Sequence, residues 1–223
     1  KNIDKVTYHL DLPVGSLSSY PLYKLAERAR KKVKVIVSGE GADEIFGGYV
    51  RYLPISRQWE LEKNFKSYKY LFQKFYSSYL DSFSRITCRS EDYEFVRNEI
   101  KKYFNMFDDP INAMGYADFK LILPSLLQMG DRMSSSFGIE NRCPYLDKNL
   151  IEFGFSLPAV YKIKNLEQKI LVRNLAKKLK LKKLLNIEKK GLTIKFNKWF
   201  KRNDWNRDYY FQLLFKKWKK IYS

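Results

Sequence analysis

Val33-Lys34-Val35-Ile36-Val37-Ser38-Gly39-Glu40-Gly41-Ala42-Asp43-Glu44-Ile45-Phe46-Gly47-Gly48-Tyr49 is the stretch from which the fold is read. Its first five residues are β-branched apart from Lys34, a composition suited to a short strand buried on both faces, as in a parallel sheet. Upstream, Asp11 to Tyr20 is rich in Pro, Gly and Ser and reads as a loop. Pro21 then stands at the first position of a helix expected to reach about Lys32. In it Leu22, Leu25, Ala26 and Ala29 take the spacing of one buried face. Helix, buried strand and glycine turn, in that order, are the grammar of an α/β nucleotide fold.

Beyond Tyr49 the patterns are long, helical and rich in Tyr, Phe, Leu and Lys, with a second strand suggested only around Ile139 to Pro144. Asp109 before Pro110, and Asp147 before Lys148-Asn149-Leu150-Ile151, read as helix N-caps. Leu171, Leu175 and Leu179, four apart, read as a core stripe. The expected class is therefore α/β, mostly helical, with one or few parallel strands. A length of 223 residues suits one domain, 1–223.

Composition excludes several classes. With 45% hydrophobic and 30% charged residues the chain has both a core and a solvated surface, so disorder is not expected over most of it. Cys88 and Cys143 form no CxxC pair and no Cys/His cluster for zinc, and they suit a reducing, cytoplasmic setting. His9, in the alternating stretch Val6 to Leu12, is the lone histidine, so a His-based triad is not expected. No run has the length of a membrane span, and the first ten residues lack a signal-peptide core. The formal charge of +19 attracts polyanions without choosing among nucleic acid, acidic membrane and nucleotide phosphates. Lysines such as Lys177, Lys178, Lys180, Lys182 and Lys183 also read as solvated helix faces. The aromatic and basic tail from Asn197 to Ser223 suits RNA or, equally, helix faces docked on a core.

Three segments carry chemistry. In the first, the turn after a strand exposes backbone amides to a ligand, and Gly39 and Gly41 permit close approach and positive φ. Glu40, Asp43 and Glu44 would repel one another unless a cation or charged substrate balances them. The same residues also read as a short helix from Ala42 to Phe46 with acidic groups in its first turn. The second segment, DRMSSSFGIENRCPYLD from Asp131 to Asp147, sets Asp131, Arg132, Glu140, Arg142 and Asp147 among apolar residues, as buried ion pairs do. The third, Glu188-Lys189-Lys190-Gly191-Leu192-Thr193-Ile194, places a lysine pair before a glycine turn; such a pair is ordinarily solvated.

Together, in order and separation, these segments resemble the synthetase domain of glutamine-dependent asparagine synthetases. The first is similar to the family's S-G-E-G-(A/S)-D-E-(L/I)-F-G-G-Y at essentially every position. The second is similar to D-x-M-S-M-x-x-x-(V/L)-E-x-R-x-P-F-L-D, departing at Ser135, Ile139 and Tyr145. The third, EKKGLTIKFNKWF, is similar to P-K-x-G-F-x-(V/I)-P-x-x-x-W-(L/F), with Glu188, Leu192 and Lys195 departing. The resemblance implies part of an ATP pyrophosphatase fold, with ATP and Mg²⁺ as cofactors. It implies that Ser38, Gly39 and Gly41 bind ATP and that Asp43 reaches Mg²⁺ on pyrophosphate. Glu40 would serve activation or proton transfer, and Lys189 would stabilise the departing pyrophosphate. Glu140, Arg142 and Asp131 are left as substrate-binding or structural ion pairs. The implied reaction adenylates a carboxylate, aspartate by default, and transfers ammonia from glutamine to give asparagine, AMP and pyrophosphate. Relatives with similar motifs make other amides, and Glu40 favours the asparagine-type branch, because the lactam-forming branch commonly has tyrosine there.

The family's S-G-G-x-D-S phosphate loop and its N-terminal glutaminase domain are not within these residues. The chain is thus expected to be the C-terminal part of a synthetase domain, partnered by the missing half or glutaminase domain and inactive alone. Nucleic-acid binding by a non-catalytic basic module is the competing expectation, distinguished by steep salt dependence and indifference to Glu40→Gln.

Overall fold

The computed structural model describes residues 2–12, 16–62, 93–185, 187 and 207–222. The expectations for Cys88, Lys189 and the EKKGLTIKFNKWF segment lie outside the described residues. Contacts divide the chain into two compact units.

The first unit comprises residues 1–38, 125–144 and 188–223. Its helices are Asn2–Leu10, Ser19–Ala29, Arg207–Tyr222 and, from Ser125 onward, the helix Leu123–Ser135. Val6, Leu10, Tyr23, Met129, Met133, Tyr210 and Leu214 form its core. The alternating stretch Val6 to Leu12 thus proves to be mostly helix. Read from Asn2, the apolar residues Ile3, Val6 and Leu10 have helical spacing, and Tyr8 faces outward. Pro21 is the third residue of its helix, not the first, and still in the first turn, where a missing N–H costs nothing. That helix buries Ser19, Tyr23 and Ala26, while Leu25, expected inside, is exposed. The tail helix docks through Tyr210 and Leu214; Trp218 Nε1 donates to the Asp11 carbonyl (2.6 Å) and Tyr222 to that of Tyr8 (2.7 Å). Of the two readings of the tail, core docking is the one these contacts favour.

Val35–Val37 (β1) pairs in parallel with Glu140–Arg142 (β2), in the register Val35 to Glu140, Ile36 to Asn141 and Val37 to Arg142. Ser38 N–H extends the ladder onto the Arg142 carbonyl at 2.9 Å. The parallel pairing and the second strand agree with expectation, but burial on both faces does not, since Val37 is 71% exposed. A strand composed for burial is buried only by what covers its faces, and a two-stranded ribbon covers neither.

The second unit comprises residues 39–124 and 145–187. At its centre is the helix Pro110–Leu121, started by Asp109, whose carboxylate accepts from the amides of Ile111 (2.9 Å) and Asn112 (3.0 Å). Ile111, Met114 and Ala117 pack with Tyr52, Ile55, Ile100, Phe104 and Ile163. A second cluster joins Ile45, Phe46 and Phe155 to a ring of aromatics including Tyr116 and Phe119. Helices Leu53–Glu62, Tyr93–Phe104, Lys148–Ser156 and Ile170–Lys178 and the hairpin Ile163–Lys164/Glu167–Gln168 complete the described elements near it. Asp147 caps the Lys148–Ser156 helix as expected. The leucine stripe is corrected: Leu171 packs on the second cluster, but Leu175 and Leu179 are exposed. The fold is thus mostly helical with a small parallel sheet, compatible with the α/β class.

Gly115 lets the central helix lie against the short helix Ala42–Phe46, because an added Cβ would stand 2.5 Å from the Glu44 carbonyl oxygen. Backbone cannot step aside cheaply, so Gly115→Ala is expected to lower stability by about 1–2 kcal/mol despite the better helix propensity of alanine. Urea unfolding measures this; a neutral or stabilising result would show that the two helices are not in firm contact.

Candidate functional site

The turn after β1 is built by two glycines in left-handed conformation. Gly41 (φ +88°) precedes the helix Ala42–Phe46, and Gly47 (φ +69°) ends it. A side chain at Gly41 would strike Leu146, so the position is closed to larger residues sterically as well as conformationally. Gly39 is different: it is exposed, and nothing stands within 4 Å of where its Cβ would be, so its backbone is open to a ligand.

The helix, one of two readings of these residues, is present. Its single turn directs Asp43 and Glu44 apart, and the two carboxylates have different fates. Glu44 is 2% exposed and accepts a hydrogen bond from Tyr49 Oη at 2.5 Å. Burial pushes its carboxyl above the usual carboxylate range, partly opposed by that hydrogen bond. Asp43 remains partly exposed and pairs with Lys169 Nζ at 2.8 Å. Gly48 leaves room for this pair, since a Cβ there would collide with both side chains. Glu40 is half-buried, and burial first, then the neighbouring charge of Asp43, holds its carboxyl above the ordinary range. A carboxyl with that shift is a proton acceptor poised nearer neutrality.

Lys169 is the cation that sequence reading missed. It stands at the N-cap of the helix Ile170–Lys178 with φ +54°. A lysine there is disfavoured twice, by the positive end of the helix dipole and by left-handed backbone. A lysine directly before an apolar helical run was the one signal available in the sequence.

Ser38 ends β1 in the first unit, with its Oγ 3.2 Å from Cys143 Sγ. Glu140 and Arg142 pair with each other at 2.9 Å, on the surface, and Arg132 pairs with Asp11 at 2.8 Å, also exposed. Asp131 is exposed and accepts a long hydrogen bond from Ser135 at 3.4 Å. The expectation of buried ion pairs in this segment is therefore corrected: Glu140 and Arg142 pair but in contact with water, and Arg132 pairs outside the segment. Side chains of a three-residue strand in a two-stranded ribbon stay in contact with water. The structure thus brings Glu40 and Asp43 together with Lys169 in one unit, and Glu140 with Arg142 in the other.

Among the described residues no group of three or more His, Cys, Asp or Glu side chains is arranged to hold a metal ion. Mg²⁺ does not require one, because it is commonly held by one or two carboxylates plus substrate phosphates. Asp43, partly exposed beside the open backbone of Gly39, fits that donor set. No helix among the described residues is long and apolar enough to cross a membrane.

The chain is 27% identical to asparagine synthetase (glutamine-hydrolyzing) 1 of Bacillus subtilis over 92% of its length, covering 38% of that protein. It is 26% identical to a putative asparagine synthetase of Mycobacterium tuberculosis over 91% of its length, covering 36% of that protein. Over a shorter stretch, 23% of the chain, it is 51% identical to putative asparagine synthetase 2 of Methanocaldococcus jannaschii. The chain thus spans little more than a third of the length of the relatives it matches most fully. The family model for asparagine synthase matches residues 1–217, and the chain belongs to the asparagine synthase family.

Proposed function

We propose that this chain is the later part of an ATP pyrophosphatase-type synthetase domain that forms an amide from a carboxylic acid, with aspartate as the acid. The carboxylate oxygen attacks the α-phosphorus of ATP and pyrophosphate leaves. Ammonia, released from glutamine by a glutaminase domain of the same protein, then attacks the acyl carbon, and AMP leaves. Glu40 takes the proton that the nitrogen sheds, and its upward-shifted carboxyl suits that task. Backbone amides at Ser38, Gly39 and Gly41 receive the phosphates, and Asp43 would hold Mg²⁺, which would supply neutralising charge for the pyrophosphate. Lys169 and Lys189 supply fixed positive charge where the leaving group gathers electrons.

The observation that carries this reading is the glycine-bounded turn at the end of a parallel strand, with Glu40 beside Asp43 and a lysine on Asp43. Membership in the asparagine synthase family supports it. The exposed Val35 and Val37 face of β1 suits a strand that further elements cover in the complete protein.

The test is pyrophosphate release by the complete protein given Mg²⁺, ATP, ammonia and a panel of carboxylic acids. Release that depends on aspartate is the expected result. Lys189→Ala is expected to reduce it by about 10²–10³-fold with the fold retained, the magnitude of removing one preorganised charge-stabilising group. Release independent of any acid, or unchanged by Lys189→Ala, would sink the reading.

A further inference from the structure

The helix that carries Asp43 is five residues long, begins and ends at left-handed glycines, and has no side-chain cap at either end. Ile45 and Phe46 anchor its apolar side in the core, and Glu44 is the buried polar side chain that adds a directional hold. Asp43 and Glu44, being adjacent on it, diverge by about 100°, so the grip on Glu44 helps set the direction in which Asp43 meets Lys169.

Glu44 is gripped from inside the unit. Tyr49 Oη donates to its Oε1, and the Arg51 guanidinium lies 3.9 Å from the centre of the Tyr49 ring. Arg51 in turn pairs with Asp118 at 2.5 Å; Tyr52 Oη also donates to Asp118, which is fully buried on the Pro110–Leu121 helix. The rings of Tyr49 and Tyr52 meet edge to face at 5.6 Å. A continuous path of contacts thus runs from Glu44 through Tyr49 and Arg51 to the central helix, whose Gly115 also receives the Glu44 backbone.

We propose that Tyr49 is a positioning residue for the reaction: its hydrogen bond to Glu44 fixes the Ala42–Phe46 helix against Pro110–Leu121 and thereby sets where Asp43 presents its carboxylate. The proposal rests on the reading of Asp43 as the residue that meets Mg²⁺ on the nucleotide. In this role Tyr49 acts through Glu44 and not on a reacting atom.

The test uses the complete protein with two readouts. The first is amide exchange at Asp43 to Phe46, and the second is affinity for a non-hydrolysable ATP analogue with and without Mg²⁺. Tyr49→Phe removes one oxygen and is expected to speed exchange at those amides. It is also expected to weaken binding of the Mg²⁺ complex about 10-fold, since small misplacements of a positioned group cost that much or more. Affinity for the metal-free analogue should not change. Glu44→Gln, whose amide oxygen still accepts from Tyr49, should retain wild-type behaviour. Glu44→Met should reproduce Tyr49→Phe, and the double variant should be no worse than either alone; this arm also decides the matter if Tyr49→Phe fails to fold. Unchanged exchange, or affinity lost equally with and without Mg²⁺, overturns the proposal. Wild-type protein that binds the analogue identically with and without Mg²⁺ overturns the reading of Asp43 and the proposal with it.

Discussion

Glu40→Gln is expected to reduce amide formation by about 10²–10⁴-fold, the usual contribution of a positioned proton acceptor, while the variant folds at least as stably as the parent. The two halves of this expectation have one cause. Burial and the charge of Asp43 both disfavour the ionised Glu40 carboxylate, which keeps its proton affinity high and makes its charged form costly to the fold. For an acid whose pKa is raised on folding, the native state binds more protons than the unfolded chain between the two pKa values. Stability contributed by the protonated form is therefore present at low pH and lost as pH rises from about 4.5 through the raised value. Glutamine does not titrate, so the parent should lose stability relative to Glu40→Gln across that window, and the acid limb of the activity profile should fall in the same window. Paired urea unfolding and steady-state kinetics from acid to neutral pH measure both. An active Glu40→Gln enzyme would remove Glu40 from the proton-transfer role. A variant that is inactive but less stable at neutral pH would mean that Glu40 makes a favourable ionic contact in the native state.

How far these features were legible in advance depends on the range of the interactions that create them. Asp109 and Asp147 were readable as caps because a cap is made with amides two and three residues away. The glycine turn was readable at Gly41, where positive φ is within the residue's own reach, but Gly39, also expected there, does not take positive φ, and Gly47, which does, was not singled out. Pairing of Val35–Val37 with the distant Glu140–Arg142 was only half-readable: each strand had a local signal, but their exposure depends on what lies over them. Leu25, Leu175 and Leu179 were assigned inward from period alone, and period gives which residues share a face but not which face meets the core. Val6 to Leu12 was read with period two because the window omitted Ile3.

The site shows the same division. Gly39, Glu40 and Asp43 lie close together along the chain, so their shared location followed from the string of residues. Lys169 and the Tyr49–Glu44 bond did not follow. Asp43 and Lys169 are separated by most of the second unit, and only the fold brings them to 2.8 Å. Tyr49 lay inside the quoted motif, yet nothing in the motif says that its hydroxyl turns back onto Glu44, as opposed to facing a ligand.

Lys162 was invisible for the same reason and gives the other large expected effect. The lysine is 1% exposed; its Nζ donates to Asn112 Oδ1 and lies 4.9 Å from the centre of the Phe155 ring. The nearby carboxylate of Asp109 is engaged with the amides of Ile111 and Asn112, and its attraction only partly offsets desolvation. Burial therefore brings the Lys162 ammonium down to about 8 from 10.5. Between those values the unfolded chain holds a proton that the native state has released, so stability rises with pH. Relative to Lys162→Met, the parent should gain about 3 kcal/mol as pH climbs through this window, at 1.36 kcal/mol per pKa unit. The Asn112 oxygen that methionine leaves without a donor costs the same at every pH and drops out of the slope, as do the other lysines, which both proteins share. Urea unfolding of the pair at neutral and alkaline pH measures the difference directly. A flat difference would mean that water or a movement of the hairpin solvates the amine, and that Lys162 carries no penalty into the fold.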